Sequence, residues 1–439
     1  MQPNILMIVL DSLRMDHVGL HHEGTSLTPN IDEFAEQAVF FQQTISQGSS
    51  TPPSVKAMMS STYPNELDGP SSYLSEIRPI IPRYLREAGY CTAGITPNEY
   101  LSSARGWSRD FTYYDDCDRL KEYRRLIWFR GLNQILKRVG IPLELPATLP
   151  AETLYQRAGT WLKHTERPFF LWIQTMDVHW PYRIQRFSPN PVWQQRQRYE
   201  RLKIRPRLIS EAPQFNNEEH KHLLELYRNA VRYSDAQLGT FLKGLSRDGV
   251  LDNTVVIILS DHGEEFGEHR RYFHSAHLYD VLVHVPLLIH LPNHLRPKNR
   301  TYPHQVRLID IGPTLLELAG IPLPQHLRGS SLLPILLGES EKDRPAFIET
   351  FTGQNYAIRV DGWKYFLDTQ TGQSELYHLD TDPGEIRSCL EEHPELASEL
   401  HTRLEDHIAE IKQAQPPVSL AVDEDPEVLN RLRDLGYVE

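Results

Sequence analysis

Runs of consecutive apolar residues, many of them β-branched, recur along the chain and predict buried strands. The clearest cover residues 4–10, 168–174 and 254–259, and each is followed at once by polar residues. Continuous apolar runs are typical of the interior strands of parallel sheets, which are covered on both faces. Stretches between the strands, among them residues 33–38, 217–247 and 307–318, predict helices. The alternation of strands and helices therefore indicates an α/β domain.

The pattern changes in the last quarter of the chain, where short strands follow one another. They are predicted at residues 347–349, 356–360, 363–367 and 375–379, with turn signals between them, and a helix follows over residues 394–412. Such a series indicates a small antiparallel sheet. We predict a large domain over residues 1–340, an α+β subdomain over 341–412 and a tail over 413–439.

Two stretches of the large domain do not fit the alternation and are predicted to be insertions, over residues 117–150 and 183–215. The first contains a basic, amphipathic segment from Arg119 to Arg138. It predicts a helix packed on the domain with a solvated basic face or, less favoured, a helix on a membrane surface. The second is rich in Arg and Gln and predicts a lid or an irregular loop. We expect these insertions to select the substrate.

Composition matters mainly for what it excludes. A formal net charge of −12 argues against nucleic acid as a partner. Cys91, Cys117 and Cys389 are too widely spaced for a metal motif or a disulfide framework. We see neither a leader pattern nor a run long enough to cross a membrane, so we expect a cytoplasmic protein without a transmembrane anchor. The sequence does not decide between a monomer and a homo-oligomer.

Candidate catalytic residues stand where predicted strands end. Asp11 follows the first strand, and Asp261 and His262 follow the strand at 254–259. Sites in open α/β sheets gather at such ends, and carboxylate and imidazole groups can bind one divalent metal ion. Alone, the Asp-His pair is equally consistent with a polar turn. Thr51 begins a predicted helix, where free N–H groups favour anions, so the set indicates a metal-bound hydroxyl nucleophile.

Taken in order, these stretches resemble the sulfatase family of the alkaline phosphatase superfamily over nearly the whole chain. The motifs that carry the resemblance lie at residues 4–11, 28–32, 51–64, 176–182, 260–264, 278–287, 310–315, 375–383 and 432–437. The resemblance implies a large alkaline-phosphatase-like domain, with a mostly parallel central sheet flanked by helices. It also implies a small C-terminal antiparallel subdomain with a helix. The implied reaction is hydrolysis or transfer of a sulfate, phosphate or phosphonate ester.

One departure from the family pattern concerns the nucleophile. Sulfatases carry Cys or Ser in C/S-x-P-S-R and oxidise it to formylglycine, whereas this chain has Thr51 there, with Val55 in place of the arginine. Threonine cannot give that aldehyde, so formylglycine is not expected. A one-residue shift would place Ser50 at the position but would break the spacing to Tyr63. Lys56, next to Val55, is a candidate replacement for the arginine.

A second departure is Asp11-Ser12, where sulfatases usually have two aspartates. One Asp, one Thr and an Asp-His pair are more similar to phosphonate monoester hydrolases and phosphoglycerol transferases, in which a Thr or its equivalent attacks phosphorus. We expect Asp11, Asp261, His262 and Thr51 to bind one divalent ion. The imidazole favours manganese or zinc over calcium or magnesium.

Further site residues are expected around this set. His179 follows the strand at 168–174, and His274 takes the place of the family's Lys or His before the Tyr-Asp pair; both are expected to contact the transferred group or to protonate the leaving oxygen. A structural role is the alternative for His179. The remaining candidates are Lys56 and Asp177 for substrate binding, Ser12 and Ser50 as uncertain members, and Asp16, His17, His269 and His277 at lower rank.

The sequence thus predicts a metal-dependent hydrolase of an anionic ester, carried by a small molecule, a glycan or a lipid headgroup. Three alternatives stay open. They are a true sulfatase that uses unmodified Thr51, a transferase that moves phosphoglycerol or phosphoethanolamine, and a non-catalytic sulfatase-like binding protein. Retention of Asp11, Asp261 and His262 argues against the last.

Overall fold

The computed structural model describes residues 2–21, 25–117, 148–166, 168–182, 215–274, 277–295, 297–339 and 343–415. The basic segment from Arg119 to Arg138, the predicted lid over 183–207 and the chain beyond residue 415 lie outside the described residues. Among the described helices, none is both long and apolar enough to cross a membrane.

An eight-stranded sheet forms the centre of the large domain. The strands of the large domain are β1 (Asn4–Leu10), β2 (Val39–Ile45), β3 (Cys91–Ile95), β4 (Tyr113–Asp115), β5 (Phe169–Thr175), β6 (Thr254–Leu259), β7 (Glu265–Phe266), β8 (Tyr272–Phe273), β9 (His284–His290) and β10 (Thr301–Arg307). The sheet order is β10-β2-β9-β6-β1-β5-β3-β4, while β7 and β8 form a separate ladder. Within the large sheet only β9 runs antiparallel to its neighbours.

Helices cover both faces of this sheet. They are α1 (Pro29–Ala35), α2 (Thr51–Ser60), α3 (Ile81–Glu87), α4 (Ala151–His164), α5 (Asn217–Arg247), α6 (Asp280–Val283), α7 (Ile311–Leu318) and α8 (Leu333–Leu336). One apolar core lies between the sheet and α1, α4 and α5, and the other between the sheet and α2, α3 and α7. Strands β1 and β6 are buried along their whole length, which explains their unbroken apolar sequences.

The predicted helix over residues 307–318 is wrong at its start. Arg307 ends β10, a single 3-10 turn covers Leu308–Asp310, and the α-helix begins only at Ile311. The Asp310 carboxylate accepts hydrogen bonds from the Arg307 backbone N–H, at 3.1 Å, and from the Arg307 guanidinium, at 2.7 Å. This local ion pair stabilises the turn, and apolar periodicity alone does not reveal it.

The C-terminal subdomain is a four-stranded antiparallel sheet with one helix. Its strands are β11 (Ala346–Glu349), β12 (Asn355–Val360), β13 (Trp363–Asp368) and β14 (Ser374–His378), paired in that order. Helix α9 (Pro394–Ala414) packs on the sheet through Leu400, Leu404 and Ile408. The predicted fold class is confirmed by this architecture.

Candidate active site

The register of three neighbouring strands brings the candidate carboxylates together. β1 pairs Val9 with Gln174 of β5 on one side and with Leu259 of β6 on the other. Residues paired across parallel strands point to the same face, and so do residues two positions further along. Asp11 and Asp261, each two residues beyond this row, therefore emerge on one face. Val9 and Leu259 belong to the apolar core between the sheet and α2. The two carboxylates therefore emerge on the face of the sheet that α2 covers.

Asp11, Asp261 and His262 form a buried cluster that could hold a metal ion. One ligand atom from each lies within 4.8 Å of the others. The His262 Nε2 atom is 3.4 Å from Asp11 Oδ1 and 3.9 Å from Asp261 Oδ2. His262 Nδ1 lies 2.8 Å from the carbonyl oxygen of Gly263, so Nδ1–H donates there and Nε2 faces the carboxylates. Two carboxylates and an imidazole nitrogen are a donor set suited to a divalent transition metal.

Thr51 joins this cluster from the first residue of α2. Its Oγ1 atom is 3.2 Å from Asp11 Oδ2 and 3.3 Å from His262 Nε2, and the residue is fully buried. Ser50 precedes the helix, and within the described part of the chain no hydrogen bond joins it to the cluster. The side chain of Thr51, rather than that of Ser50, is therefore the hydroxyl that lies beside the candidate metal ligands.

The start of α2 offers an anion fewer N–H groups than a helix start without prolines. Pro52 and Pro53 have no N–H, and the Ser54 N–H bonds the Ser50 carbonyl at 3.2 Å. Of residues 51–54, only Thr51 keeps an N–H for another partner. The help that this helix start can give an anion therefore comes from the Thr51 N–H, because the prolines at positions 52 and 53 have none.

His179 and His274 lie close to the His262 ring. The His274 ring centroid is 4.5 Å from that of His262 and 4.7 Å from that of His179. His274 Nδ1 is 2.9 Å from Glu264 Oε1, and the Tyr182 hydroxyl donates to Glu264 Oε2 at 3.0 Å. Glu264 thus orients His274 so that its Nε2 atom is directed away from this bond. The structure brings both predicted histidines to the cluster.

Burial and mutual charge shift the pKa values within the cluster. Burial and the charge of Asp11 raise the pKa of Asp261 to about 7. Burial would also raise the pKa of Asp11, but the imidazoles of His179 and His262 outweigh it and hold that pKa well below its usual range. Burial would lower the pKa of His262, yet Asp261 and Asp11 raise it to about 9. These values describe a site that holds protons which a divalent cation would displace.

The pKa values of the two flanking histidines move in the opposite direction. Burial, followed by the charge of His262, lowers the pKa of His274 to about 3. Burial also lowers the pKa of His179 to about 4, although Asp11 opposes this shift. Both rings are therefore neutral at neutral pH.

Two amides that the sequence analysis missed complete the cluster. Asn98 Nδ2 is 3.2 Å from Asp11 Oδ2 and 3.4 Å from Thr51 Oγ1. Gln174 Nε2 is 3.0 Å from Asp11 Oδ2 and 3.0 Å from Asp261 Oδ2. Asn98 follows the carboxyl end of β3, so the strand-end rule would have found it, whereas Gln174 lies inside a strand.

Lys56 takes a structural position. Its side chain is buried, and Nζ is 3.2 Å from Asp68 Oδ1, which also accepts from Arg78 at 2.8 Å. Burial lowers the pKa of Lys56 to about 8. Lys56, the expected replacement for the missing arginine, is therefore paired with Asp68. Among the described residues, no ion pair joins Lys56 to Asp11, Asp261 or His262.

The remaining candidates differ in their distance from the cluster. The Ser12 hydroxyl donates to Asp11 Oδ1 at 3.2 Å, so this residue adjoins the site. Asp177 accepts the Ala151 N–H at the start of α4 at 2.9 Å. The lower-ranked group forms other contacts: His17 with Asp16, His269 with Glu265, and His277 with Tyr279.

Comparison with known proteins shows the family to which this chain belongs. Residues 3–321 match the sulfatase family. The chain belongs to the sulfatase family. Members of this family are ester hydrolases that depend on a metal ion. Residues 267–413 of this sulfatase-family chain also match the C-terminal region of N-sulphoglucosamine sulphohydrolase.

The curated relatives are named as sulfatases. Arylsulfatase K of Rattus norvegicus is 35% identical over 204 residues, which cover 43% of this chain and 36% of that relative. The match thus spans little more than a third of the relative's length. A Delta 4,5-hexuronate-2-O-sulfatase of Bacteroides thetaiotaomicron is 24% identical over 463 residues, covering 98% of this chain and 93% of that protein.

Solved structures share the fold. The phosphonate monoester hydrolase of Agrobacterium radiobacter superposes with a TM-score of 0.74 at 21% identity, covering 94% of this chain and 96% of that one. A 2-O GAG sulfatase superposes with a TM-score of 0.71 at 22% identity, covering 98% and 96%. At these identities the likeness establishes the architecture of the sulfatase-family chain.

Proposed function

We propose that this sulfatase-family chain is a metal-dependent hydrolase of sulfuric or phosphoric esters and that Thr51 is its nucleophile. One observation carries the proposal: Thr51 Oγ1 lies 3.2 Å from Asp11 and 3.3 Å from His262, inside the only cluster of metal-ligating side chains found among the described residues. Asp11, Asp261, His262 and Thr51 would hold the ion. When bound, a divalent ion lowers the pKa of a coordinated hydroxyl and neutralises charge on the ester.

The protein groups have distinct parts in the proposed reaction. The Thr51 oxygen attacks sulfur or phosphorus in line, and the leaving oxygen departs on the opposite side. The proton released by the Thr51 hydroxyl passes to Nε2 of His179 or of His274 and from there to the leaving oxygen. The hydrogen bond from Nδ1 to Glu264 selects the tautomer of His274 in which Nε2 is the proton-accepting atom. Water then attacks the transferred group, the bond to Thr51 Oγ1 breaks, and the proton that the water loses returns to the Thr51 oxygen through the same histidine.

Two classes of ester are supported by different observations. A threonine at the nucleophile position favours phosphoric esters or phosphonates, because it cannot become formylglycine. The relatives named as hexuronate-2-O-sulfatase and 2-O GAG sulfatase favour a sulfated sugar. Both classes use the same geometry, since sulfate and phosphate groups present similar tetrahedral anions to the site.

The experiment compares an aryl sulfate, an aryl phosphate monoester, an aryl phosphodiester and an aryl phosphonate, each with manganese, zinc, calcium or magnesium. We expect the phosphodiester or phosphonate to be hydrolysed fastest, with manganese or zinc. Thr51→Ala removes the attacking oxygen and should lower kcat by about 10³-fold or more. Ser50→Ala is the matched control, since it removes the adjacent hydroxyl, and should keep kcat within about threefold of wild type.

Other outcomes would change the assignment. Loss of turnover in Ser50→Ala but not in Thr51→Ala would make Ser50 the nucleophile. Fastest turnover of the aryl sulfate, lost in Thr51→Ala, would identify a sulfatase that uses unmodified threonine. An absence of both turnover and bound metal in the wild type would favour a binding protein.

A further inference from the structure

Gln174 occupies an unusual position for an amide in the middle of a buried sheet. The residue lies in β5, is fully buried, and its Nε2 atom is 3.0 Å from a carboxylate oxygen of Asp11 and 3.0 Å from one of Asp261. His262 Nε2 also faces both acids, but at the longer distances of 3.4 Å and 3.9 Å. The amide therefore lies beside the space where a cation bound by both carboxylates would sit, within reach of a further ligand atom.

The other end of this amide has no hydrogen-bond partner. Among the described residues, no donor lies within hydrogen-bond distance of Gln174 Oε1, although the atom is buried. A buried polar atom without a partner is costly, and each such case calls for an explanation. Rotation about the last side-chain bond exchanges the positions of Oε1 and Nε2. It breaks the two hydrogen bonds that Nε2 donates to the carboxylates, but none that Oε1 accepts, and it turns Oε1 towards the carboxylates.

We propose that Gln174 is a further ligand of the metal ion, through Oε1. The proposal rests on the metal site of the proposed function. Without a cation, the two N–H groups of the amide bridge Asp11 and Asp261. When a cation neutralises these carboxylates, the amide rotates and presents its oxygen.

The spacing of the three groups fits this assignment. Around a six-coordinate ion with bonds of about 2.1 Å, neighbouring ligand atoms lie about 3.0 Å apart. The Gln174 amide has that spacing to both Asp11 Oδ2 and Asp261 Oδ2. An amide oxygen is also a suitable ligand for manganese. Its contribution would offset the absence of a second aspartate at position 12, where Ser12 only donates a hydrogen bond to Asp11.

A role limited to holding the carboxylates in place is the competing explanation, and a pair of variants separates the two. Gln174→Leu removes both the donor and the oxygen. Gln174→Met also removes both, and is close to glutamine in shape, but it supplies a thioether sulfur that prefers soft cations. If the side chain only bridges the acids, both variants must bind metals alike. If it ligates the ion, they must differ with a soft cation.

The experiment measures Mn²⁺ and Cd²⁺ affinities of the full-length wild type and both variants, together with the ¹¹³Cd NMR shift. We expect both variants to bind Mn²⁺ about 10- to 100-fold more weakly than wild type. Gln174→Met should raise the ratio of Cd²⁺ to Mn²⁺ affinity at least about tenfold over Gln174→Leu. It should also move the ¹¹³Cd resonance downfield, because sulfur replaces oxygen.

Gln305→Leu serves as the control for loss of a buried glutamine, since Gln305 donates to backbone carbonyls at the edge strand β10. It should leave both affinities at the wild-type value. Equal affinity ratios and equal ¹¹³Cd shifts in the Leu and Met variants would overturn the assignment of Gln174 as a ligand. A wild-type protein that binds neither ion would instead defeat the proposed function, so the two failures are distinguishable.

Discussion

Asp11 and Asp261 are two fully buried carboxylates, and both contact the Gln174 amide. Their negative charges repel each other. Burial and the neighbouring charge raise the pKa of Asp261 to about 7, so in the absence of a cation this group keeps a proton near neutral pH. His262 also keeps its proton, with a pKa of about 9. A divalent cation must displace both protons before these residues can ligate it.

Metal affinity is therefore expected to rise with pH. Below about pH 7 binding releases two protons, between about pH 7 and pH 9 it releases one, and above about pH 9 it releases none. The affinity should increase about tenfold per pH unit for each proton released, so the slope falls from two to one to zero. Titration with Mn²⁺ at pH 6, 7, 8 and 9 measures it.

A matched variant checks that the protons come from the cluster. His407→Gln removes a buried histidine that bonds Glu349 at 3.2 Å, in the C-terminal subdomain, and should keep the wild-type slope. His262→Gln should bind more weakly and lose the slope between pH 7 and pH 9. An affinity that does not change over this range would contradict the account of the site.

At this scale the sequence predicted the acids, the histidines and the hydroxyl of the site and missed its two amides, Asn98 and Gln174. Asp11, Asp261 and His262 were found because they follow strongly apolar strands, and the structure brings them together. Gln174 carries no charge and lies within a strand, so only the pairing of β5 with β1 shows that it faces the carboxylates. That pairing joins residues far apart in the chain, and a local pattern does not contain it.

Helix α2 shows how one element can hold both a reactive residue and a structural one. Thr51 is its first residue and faces the metal cluster, whereas Lys56 is bonded to Asp68. Asp68 is buried between two cations, Lys56 and Arg78. Sequence spacing showed that positions 55 and 56 point in different directions, but the partner of Lys56 lies outside the helix and was not predicted.

Two substitutions test this division of roles. Asp68→Asn leaves two buried cations without their carboxylate and should lower the free energy of unfolding by about 3–5 kcal/mol. Lys56→Met leaves Asp68 paired with Arg78, so it should be tolerated better and should keep kcat near wild type. Denaturant unfolding and steady-state kinetics measure both effects. A Lys56→Met variant of normal stability that loses turnover would show that Lys56 binds the substrate.

Over the whole molecule, the C-terminal subdomain packs on the segment that follows residues 260–264. Lys364 of β13 is fully buried and lies 2.7 Å from Asp280, the first residue of α6, and 3.0 Å from Glu385. Ile348 and Ala357 of the small sheet share an apolar cluster with residues of and next to α6. The segment at α6, which follows the 260–264 motif, is thus held by contacts from the C-terminal subdomain.

The sequence predicted the class of this fold but not its strand order. Apolar runs and turn signals were sufficient for the parallel sheet and the antiparallel subdomain. In the sheet, β9 lies between β2 and β6 and runs antiparallel to both. This position was not predicted, because it depends on pairing between residues far apart in the chain. The same pairing places β1 between β5 and β6 and so builds the site.

The most direct test of the central claim is to look for the transferred group on Thr51. An aryl phosphonate or phosphodiester would be mixed with the manganese-loaded protein, quenched within the first turnover and analysed by peptide mass spectrometry. We expect an adduct on Thr51 that forms and decays at rates consistent with turnover. The adduct should be absent from Thr51→Ala. An adduct on Ser50, or turnover without an adduct on Thr51, would contradict the assignment of Thr51 as the nucleophile.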